Sequence, residues 1–299
     1  MASPFYTAEH EAYRDVVRRF VEKEIEPYAH EWDEAGGFPR QLYEKAAAIG
    51  LLGLGFPEQY GGTEVDNFMW IVAVQELARA GAGGVSASLK SNSIGAPPIA
   101  RAGSPEFKAR VLPQILSGKK ISALAITEPS GGSDVANLRT SARRNGDCYV
   151  VNGEKTFITS GMRADYITTA VRTGGPGPGG VSLLVIEGDT PGLSRTPLKK
   201  MGFRHRDAAF RRLPVTPAGS MDSGPAPRGA SRNDEDNDKM LFTSDHEEAR
   251  RILQKFIAVK INPFVDEWEK AARVPMSHRS RPMAPSMAMI TSHLRRLEG

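Results

Sequence analysis

The feature that most constrains this chain is a segment that occurs twice. Residues 5–39 align without a gap to residues 241–275, and 11 of the 35 aligned positions are identical. The identical pairs are Thr7/Thr243, His10/His246, Glu11/Glu247, Arg14/Arg250, Phe20/Phe256, Ile25/Ile261, Pro27/Pro263, Glu31/Glu267, Trp32/Trp268, Ala35/Ala271 and Pro39/Pro275. Solenoid folds need three or more adjacent repeats, because each repeat buries its apolar face against the next. Two distant copies therefore exclude a solenoid and predict a domain start, a body, and a second copy of that start.

The length and composition are those of a soluble globular protein. The chain has 299 residues, of which 40% are hydrophobic and 25% are charged, enough for two domains with cores of their own. The first residues lack the apolar run of a signal peptide, and no run is long enough to cross a bilayer. We therefore expect a cytoplasmic protein without membrane contact. The single Cys148 excludes an internal disulfide and lies in a strand-like run without a nearby His.

The net charge of +4 arises entirely in the last third of the chain. Residues 1–200 carry 22 basic and 22 acidic side chains, whereas residues 201–299 carry 17 and 13. Proteins that bind nucleic acid present a basic face on the folded body, and a neutral body argues against one. No nucleic-acid partner is expected.

The first 119 residues have a helical pattern. Residues 13–21 form an apolar stripe at helical spacing, and Ser104-Pro105 is typical of an N-cap followed by Pro in the first turn. Residues 1–119 are therefore predicted to form an all-helical domain. The stripe consists of Tyr13, Val16, Val17, Phe20 and Val21.

The pattern changes to that of strands after Lys119. Strands are predicted over 121–127, 138–144, 148–152, 156–159, 166–172 and 181–187. Asn145-Gly146 predicts a hairpin, and the Gly-rich run 174–180 predicts a loop. Residues 120–212 are expected to form an antiparallel, β-barrel-like domain, so the fold class is α+β.

Three further segments are predicted after residue 212. Residues 213–240 are rich in Pro, Gly, Ser, Asn and Asp and cannot bury enough apolar surface to offset the entropy of ordering, which predicts a disordered linker. The acidic run 233–238 lacks the Gly and distal Glu of a calcium loop, so no metal site is assigned. Residues 241–275 repeat the N-terminal helix, and residues 276–299 are predicted to be a disordered tail.

The first chemical motif follows a predicted strand. The sequence from Ala125 to Asp134 is Ala-Ile-Thr-Glu-Pro-Ser-Gly-Gly-Ser-Asp. Paired glycines let successive backbone amides converge on an anion such as a pyrophosphate. The alternative is an ordinary turn, which such a loop forms more often.

The second motif lies about 30 residues further on, in Lys155-Thr156-Phe157-Ile158-Thr159-Ser160-Gly161. In a strand, Phe157 and Thr159 share one face. The ring can lie under a planar heterocycle while the hydroxyl donates to a ring nitrogen. The alternative is an ordinary pair of residues on a strand face.

Together, the two motifs resemble the acyl-CoA dehydrogenase family over residues 5–207. The first corresponds to the family's flavin signature, from which Asn137 departs at the end, and the second to its Lys-x-Trp/Phe-Ile-Thr segment. Further landmarks in the family's order are Phe38-Pro39, Gly50–Gly53, Pro57–Gly62 and Lys200–Arg204.

The resemblance implies a flavoprotein that oxidises acyl-CoA to trans-2-enoyl-CoA, transfers a hydride to FAD and passes electrons to an electron-transfer flavoprotein, as a homo-oligomer. By the same resemblance, Ile126 and Thr127 touch the isoalloxazine, Gly132 and Ser133 bind the pyrophosphate, Phe157 packs on the flavin, and Thr159 bonds near its N5.

The sequence departs from the family after Asp207. The family continues with its last strands and a C-terminal helical bundle that carries the catalytic Glu, whereas this chain has the linker and the second helix copy. The concentrated carboxylates left nearby lie on that copy, whose family role is packing, so no catalytic residue is assigned. They are Glu247, Glu248, Glu267 and Glu269. The chain is expected to be an inactive dehydrogenase-type flavoprotein; the alternatives are a non-catalytic scaffold and a relative such as an acyl-CoA oxidase.

Overall fold

The computed structural model describes residues 5–199, 208–212 and 215–217. The sequence predictions for the linker beyond residue 217, the repeated segment 241–275, its four glutamates and the tail 276–299 lie outside the described residues. The described helices are α1 Ala8–Glu24, α2 Ala29–Ala35, α3 Gln41–Ala48, α4 Asn67–Arg79, α5 Gly83–Leu89, α6 Asn92–Gly95, α7 Pro97–Ala102 and α8 Pro105–Leu116.

Helix α1 begins at a reciprocal cap. The Thr7 hydroxyl accepts the His10 amide, and His10 Nδ1 accepts the Thr7 amide at 2.9 Å. His10 is buried, and its Nε2 lies 2.9 Å from Oδ1 of Asp66, the N-cap residue of α4. The start of α1 is thereby tied to the start of α4, against which it packs.

The apolar stripe of α1 enters the helical core. Val17, Phe20 and Val21 are buried, together with Trp32 of α2 and Tyr43 of α3. The predicted stripe members Tyr13 and Val16 are only half-buried. Among the described residues, no helix is long and apolar enough to span a bilayer.

Nine strands follow the helices within the described residues. They are β1 Ser122–Ala125, β2 Ser141–Asn145, β3 Cys148–Asn152, β4 Lys155–Ile158, β5 Tyr166–Arg172, β6 Val181–Glu187, β7 Ser194–Pro197, β8 Ala208–Arg212 and β9 Val215–Pro217. One sheet has the order β1-β5-β2-β3-β9 with β6 also paired to β5, and a second has the order β4-β8-β7. The α+β class, with a helical domain followed by a sheet domain, is confirmed.

The large sheet is mixed, whereas the sequence analysis predicted an antiparallel unit. β1 runs parallel to β5, with Ser122 opposite Tyr166 and Ala125 opposite Thr169. Parallel neighbours need a crossover connection, and the segment containing β2, β3 and β4 supplies it. Strand patterns in the sequence predict where strands form but not which neighbour each strand pairs with.

The predicted hairpin joins β2 to β3. Its two-residue turn lies one position later in the sequence than the predicted pair Asn145-Gly146. Asn145 is opposite Cys148, so the two loop residues are Gly146 and Asp147. Gly146 has φ +59°, and a single positive φ at the first loop position is typical of a type II′ turn.

The predicted boundary at residue 212 requires a correction. Val215–Pro217 form β9, which pairs with β3 through Val150 opposite Val215. The segment predicted as linker therefore begins with a strand of the large sheet, because the exposed edge of β3 offers unpaired backbone groups to an extended chain.

A shared core joins the helices to the sheet. Ile99, Phe107 and Val111 of α7 and α8 pack with Tyr166 of β5 and Val185 of β6. β5 is buried along almost its whole length, which is expected for a central strand covered on both faces. The end of β1 and the loop beyond it are therefore held on a rigid base.

Candidate functional site

The first motif forms a tight exposed loop after β1. The amide of Glu128 donates to the Gly131 carbonyl and the amide of Gly131 donates to the Glu128 carbonyl, each at 3.0 Å. Gly131, Gly132 and Ser133 are exposed. Within the described part of the chain, no acceptor is bonded to the amides of Gly132 and Ser133. The loop therefore presents two consecutive donors to solvent.

Gly132 lies against Thr127 at the base of this loop. A Cβ at Gly132 would lie 3.1 Å from Thr127 Cγ2 and 3.3 Å from Thr127 Oγ1. Such contacts are tighter than most side chains make, so a larger residue would push the loop away from Thr127. The glycine thereby brings two of the predicted cofactor residues into contact.

The loop is anchored by Glu128, whose carboxylate turns inward. Glu128 is 5% exposed, and its oxygens accept the amides of Arg139 at 2.7 Å and Thr140 at 2.8 Å. Lys155 Nζ donates to Glu128 Oε1 at 2.9 Å, and this lysine is fully buried. Both ends of the loop are thus bonded to one buried carboxylate.

The hydrogen bonds to Glu128 fix its charge. Burial alone would raise the pKa of Glu128, but bonds from Thr140, from the Arg139 amide and from Lys155 outweigh it and hold the pKa at about 2. Burial lowers the pKa of Lys155, and Glu128 opposes that shift. We assign both groups as charged, because the pair is in direct contact and the carboxylate has three donors.

The second motif is bonded to the first along β4. Lys155 Nζ also donates to the Ile126 carbonyl at 2.8 Å, and the amide of Thr156 donates to the Thr127 carbonyl at 2.9 Å. The predicted cofactor residues Ile126 and Thr127 are therefore fixed beside β4, the strand that carries Phe157.

Phe157 departs from the strand geometry expected from the sequence. Its φ is +56°, and the pairing of β4 with β8 shifts register between Lys155 and Ile158. Phe157 and Thr159 are therefore not two members of a regular strand face, since β4 ends at Ile158 and Thr159 lies in the following turn. The register shift and the positive φ of Phe157 interrupt the regular alternation of side chains along β4. The Phe157 side chain is 64% exposed.

The turn after Thr159 is tied to the helical domain. The Ser160 hydroxyl lies 3.2 Å from the Tyr43 hydroxyl, and the Tyr43 hydroxyl donates to the Ser88 carbonyl at 2.8 Å. Burial raises the pKa of Tyr43, so this phenol remains a neutral donor. Helices α3 and α5 thereby hold the chain segment that carries Thr159.

These contacts show which of the six predicted cofactor residues the fold brings together. Ile126 and Thr127 are bonded to β4, Gly132 touches Thr127, and Phe157 and Thr159 lie on β4 and its turn. Ser133 is exposed and has no hydrogen bond to the other five. The sequence analysis did not identify the structural roles of Glu128 and Lys155. Each is a charged residue beside apolar neighbours inside its motif, and this pattern could have indicated a buried ion pair.

The residues present fit a flavin dinucleotide. An exposed aromatic ring offers a face to a planar heterocycle, and two open backbone amides suit an anionic pyrophosphate. The described residues contain no group of three His, Cys, Asp or Glu side chains arranged to hold a metal. A separate cleft of about 330 Å³ lies beside the start of β5, lined by charged residues such as Asp165, Glu187 and Arg195. None of the six predicted cofactor residues lines it.

Comparison with known proteins identifies matches over the same region. The acyl-CoA dehydrogenase N-terminal domain profile matches residues 7–119, and the acyl-CoA dehydrogenase middle domain profile matches residues 123–213. A Bacillus subtilis protein named probable acyl-CoA dehydrogenase YngJ is 39% identical over 207 residues, covering 68% of this chain and 54% of that protein. The chain spans about half the length of the curated relatives that it matches.

Solved structures of acyl-CoA dehydrogenases are also similar to this chain. A crystal structure of acyl-CoA dehydrogenase from Geobacillus kaustophilus is 37% identical, with a TM-score of 0.69, covering 74% of this chain and 59% of that one. A glutaryl-CoA dehydrogenase from Mycobacterium smegmatis in complex with FADH2 is 26% identical, with a TM-score of 0.66, covering 72% of this chain and 55% of that one.

Proposed function

Since residues 7–213 of this chain belong to the acyl-CoA dehydrogenase family, we propose that the chain is an FAD-binding protein of the acyl-CoA dehydrogenase type. The family is one of flavoprotein oxidoreductases. The observation that carries the proposal for this chain is the exposed Phe157 ring on β4, fixed by hydrogen bonds beside a loop with two open amides.

The proposed roles follow the contacts of the site. Ile126 and Thr127, bonded to β4, border the isoalloxazine; Phe157 packs on its face and Thr159 donates near N5. The open amides of Gly132 and Ser133 bind the pyrophosphate. When bound, FAD would supply the hydride acceptor that acyl-CoA oxidation needs. The chain's own residues orient the ring and neutralise the phosphates, which is the usual contribution of a protein to cofactor chemistry.

The buried carboxylate of the first motif is not free to remove the α-proton. Glu128 is fully engaged by Lys155 and two amides, and Asp134 accepts the Asn137 side-chain amide at 2.6 Å. A general base must lie within hydrogen-bond reach of the proton that it removes. We therefore propose weak FAD binding without acyl-CoA turnover. Acyl-CoA as ligand, electron-transfer flavoprotein as acceptor, a homo-oligomer and cytoplasmic location remain proposals that rest on the family or the composition.

A non-catalytic scaffold is the second candidate function. It is favoured by the engagement of Glu128 in structural bonds to Lys155 and to the amides of Arg139 and Thr140. If the chain is a scaffold, it should be colourless and should not bind FAD. If it is a flavoprotein, FAD binding should be saturable.

Titration of the purified chain with FAD, followed by flavin fluorescence, tests the proposal. We expect saturable binding with a Kd above about 1 μM, weaker than roughly −8 kcal/mol. Phe157→Ala should weaken binding about fivefold or more, because an aromatic contact contributes about 1 kcal/mol beyond area burial. Val150→Ala is the matched control, since Val150 is 39% exposed on β3. Absence of saturation at millimolar FAD would favour the scaffold.

Turnover is tested with FAD, an artificial electron acceptor and acyl-CoAs of short, medium and long chain. We expect none. A rate above about 1 s⁻¹, the low end of ordinary enzymes, would show that the chain has a catalytic base. Glu247, Glu248, Glu267 and Glu269 would then be replaced by Gln, one at a time.

A further inference from the structure

Arg172, the last residue of β5, binds two loops at once. Its Nε donates to the Leu138 carbonyl at 3.1 Å and its Nη2 to the Ala136 carbonyl at 2.5 Å. Its Nη1 donates to the carbonyls of Gly175 at 2.6 Å and Gly177 at 3.2 Å. One guanidinium therefore has four carbonyl acceptors, which its fixed fork of donors permits.

The first of these loops contains Gly132 and Ser133, whose amides are proposed to bind the pyrophosphate. Ala136 and Leu138 lie at its closing end, three and five residues after Ser133, around the short 3-10 helix Val135–Asn137. The main chain of Arg172 is also bonded here, because its amide donates to the Thr140 carbonyl at 2.7 Å. Arg172 thus fixes the far end of the loop, while Glu128 fixes its base.

The second loop is the Gly-rich run 174–180, to which the proposed function gives no role. The amides of Thr173 and Gly174 donate to the Gly180 carbonyl and close this loop on itself. A Cβ at Gly180 would lie 1.9 Å from the Gly175 carbonyl oxygen and 2.9 Å from Arg172 Nη1. Glycine is therefore required where the loop folds back around the guanidinium.

The positive charge of Arg172 has no carboxylate partner among the described residues. All four bonds of its guanidinium go to backbone carbonyls, and no Asp or Glu lies within ion-pair distance in the described region. The side chain is half-buried. A cation held without a counterion beside two exposed loops attracts an anion more strongly than a solvated one does.

We propose that Arg172 is a positioning residue that locks the loop bearing Gly132 and Ser133 against the Gly-rich loop 174–180 and attracts the pyrophosphate of a dinucleotide to this junction. The inference rests on the proposed FAD function. It goes beyond it by assigning a role to Arg172 and by making the Gly-rich loop the support of the phosphate site.

Two substitutions in the full chain test the inference. Arg172→Met removes the charge and all four bonds, whereas Arg172→Lys keeps the charge without the fork. Arg144→Met is the matched control, because Arg144 is exposed and its Nε donates to the Gly146 carbonyl in the β2–β3 hairpin. Circular dichroism identifies any variant that fails to fold, in which case Arg172→Lys carries the test.

The first measurement is hydrogen exchange at the backbone amides of both loops without ligand. Faster exchange in residues 130–138 and 174–180 of either Arg172 variant, with no change in Arg144→Met, supports the locking role. Unchanged exchange in both loops overturns it. This readout needs no flavin, so it remains informative if the chain binds no FAD and the proposed function fails.

The second measurement compares FAD with riboflavin, which lacks phosphates. We expect the Arg172 variants to bind FAD about tenfold or more weakly, the scale of lost charge-assisted hydrogen bonds, with riboflavin affinity unchanged. An equal loss for both ligands would mean a general defect of the fold and would overturn the phosphate role. Wild-type FAD affinity in Arg172→Met would overturn it as well.

Discussion

Lys155 Nζ lies 2.9 Å from Glu128 Oε1, and this contact joins the two sequence motifs inside the protein. Both residues are almost completely buried, with exposed fractions of 0% and 5%. Each motif contributes one charge, so neither can move without leaving the other charge unpaired in the interior. The candidate cofactor site is therefore built on a buried ion pair.

Removal of the lysine should destabilise the fold. Lys155→Met leaves Glu128 buried without its counterion, and breaking a buried pair from one side costs about 3–5 kcal/mol. Urea unfolding followed by circular dichroism measures the loss. Lys119→Met, at an exposed lysine just before β1, should change stability by less than about 0.5 kcal/mol. Equal effects of the two substitutions would contradict the assigned role of the pair.

Glu128 should make the protein sensitive to acid in a defined range. Its pKa is lowered from the ordinary 4.5 to about 2, so its stabilising contribution is complete above pH 4.5 and is lost as the pH falls toward 2. A shift of this size corresponds to about 3 kcal/mol. Between pH 6 and pH 2, the wild type should lose about that much more unfolding free energy than Glu128→Gln. Parallel pH profiles of the two proteins would refute this.

At Phe157, a glycine variant should be more stable than an alanine variant, the reverse of the usual order. At φ +56° a side chain with a Cβ is strained, whereas glycine is not. Phe157→Gly should therefore be more stable than Phe157→Ala by about 1 kcal/mol in urea unfolding. Both should bind FAD more weakly than the wild type, because both lack the ring. An alanine variant as stable as the glycine variant would show that this residue is not strained.

Asp66 should matter to two helices at once. Its Oδ1 accepts the Met69 amide at 2.9 Å as the cap of α4 and also lies 2.9 Å from Nε2 of buried His10. Asp66→Ala should cost about 1–2 kcal/mol of unfolding free energy. Asp66→Asn retains an acceptor oxygen and should cost much less. Glu64→Ala, at an exposed residue nearby, serves as the control. A similar loss of unfolding free energy in this control would contradict the capping role of Asp66.

Much of the domain order and of the local structure could be predicted from the sequence. The bounds of β3, β5 and β6 are those predicted, since alternation and β-branched residues are local properties. The motif that contains Gly132 and Ser133 also forms a turn, as its paired glycines predict. Pairing was less predictable. The parallel contact of β1 with β5 joins residues about 44 positions apart, and no local pattern encodes that choice.

By itself the sequence determined the family, the succession of helices and strands, and the residue types of the cofactor motifs, because each depends on neighbours along the chain. Only the tertiary structure decided that Glu128 faces inward to Lys155, that Phe157 is exposed at a positive φ, and that Arg172 bonds two loops. These features arise from burial and from contacts between distant segments. The free energy of a buried charge or of a backbone angle depends on the residues packed around it, and the local sequence does not specify these residues.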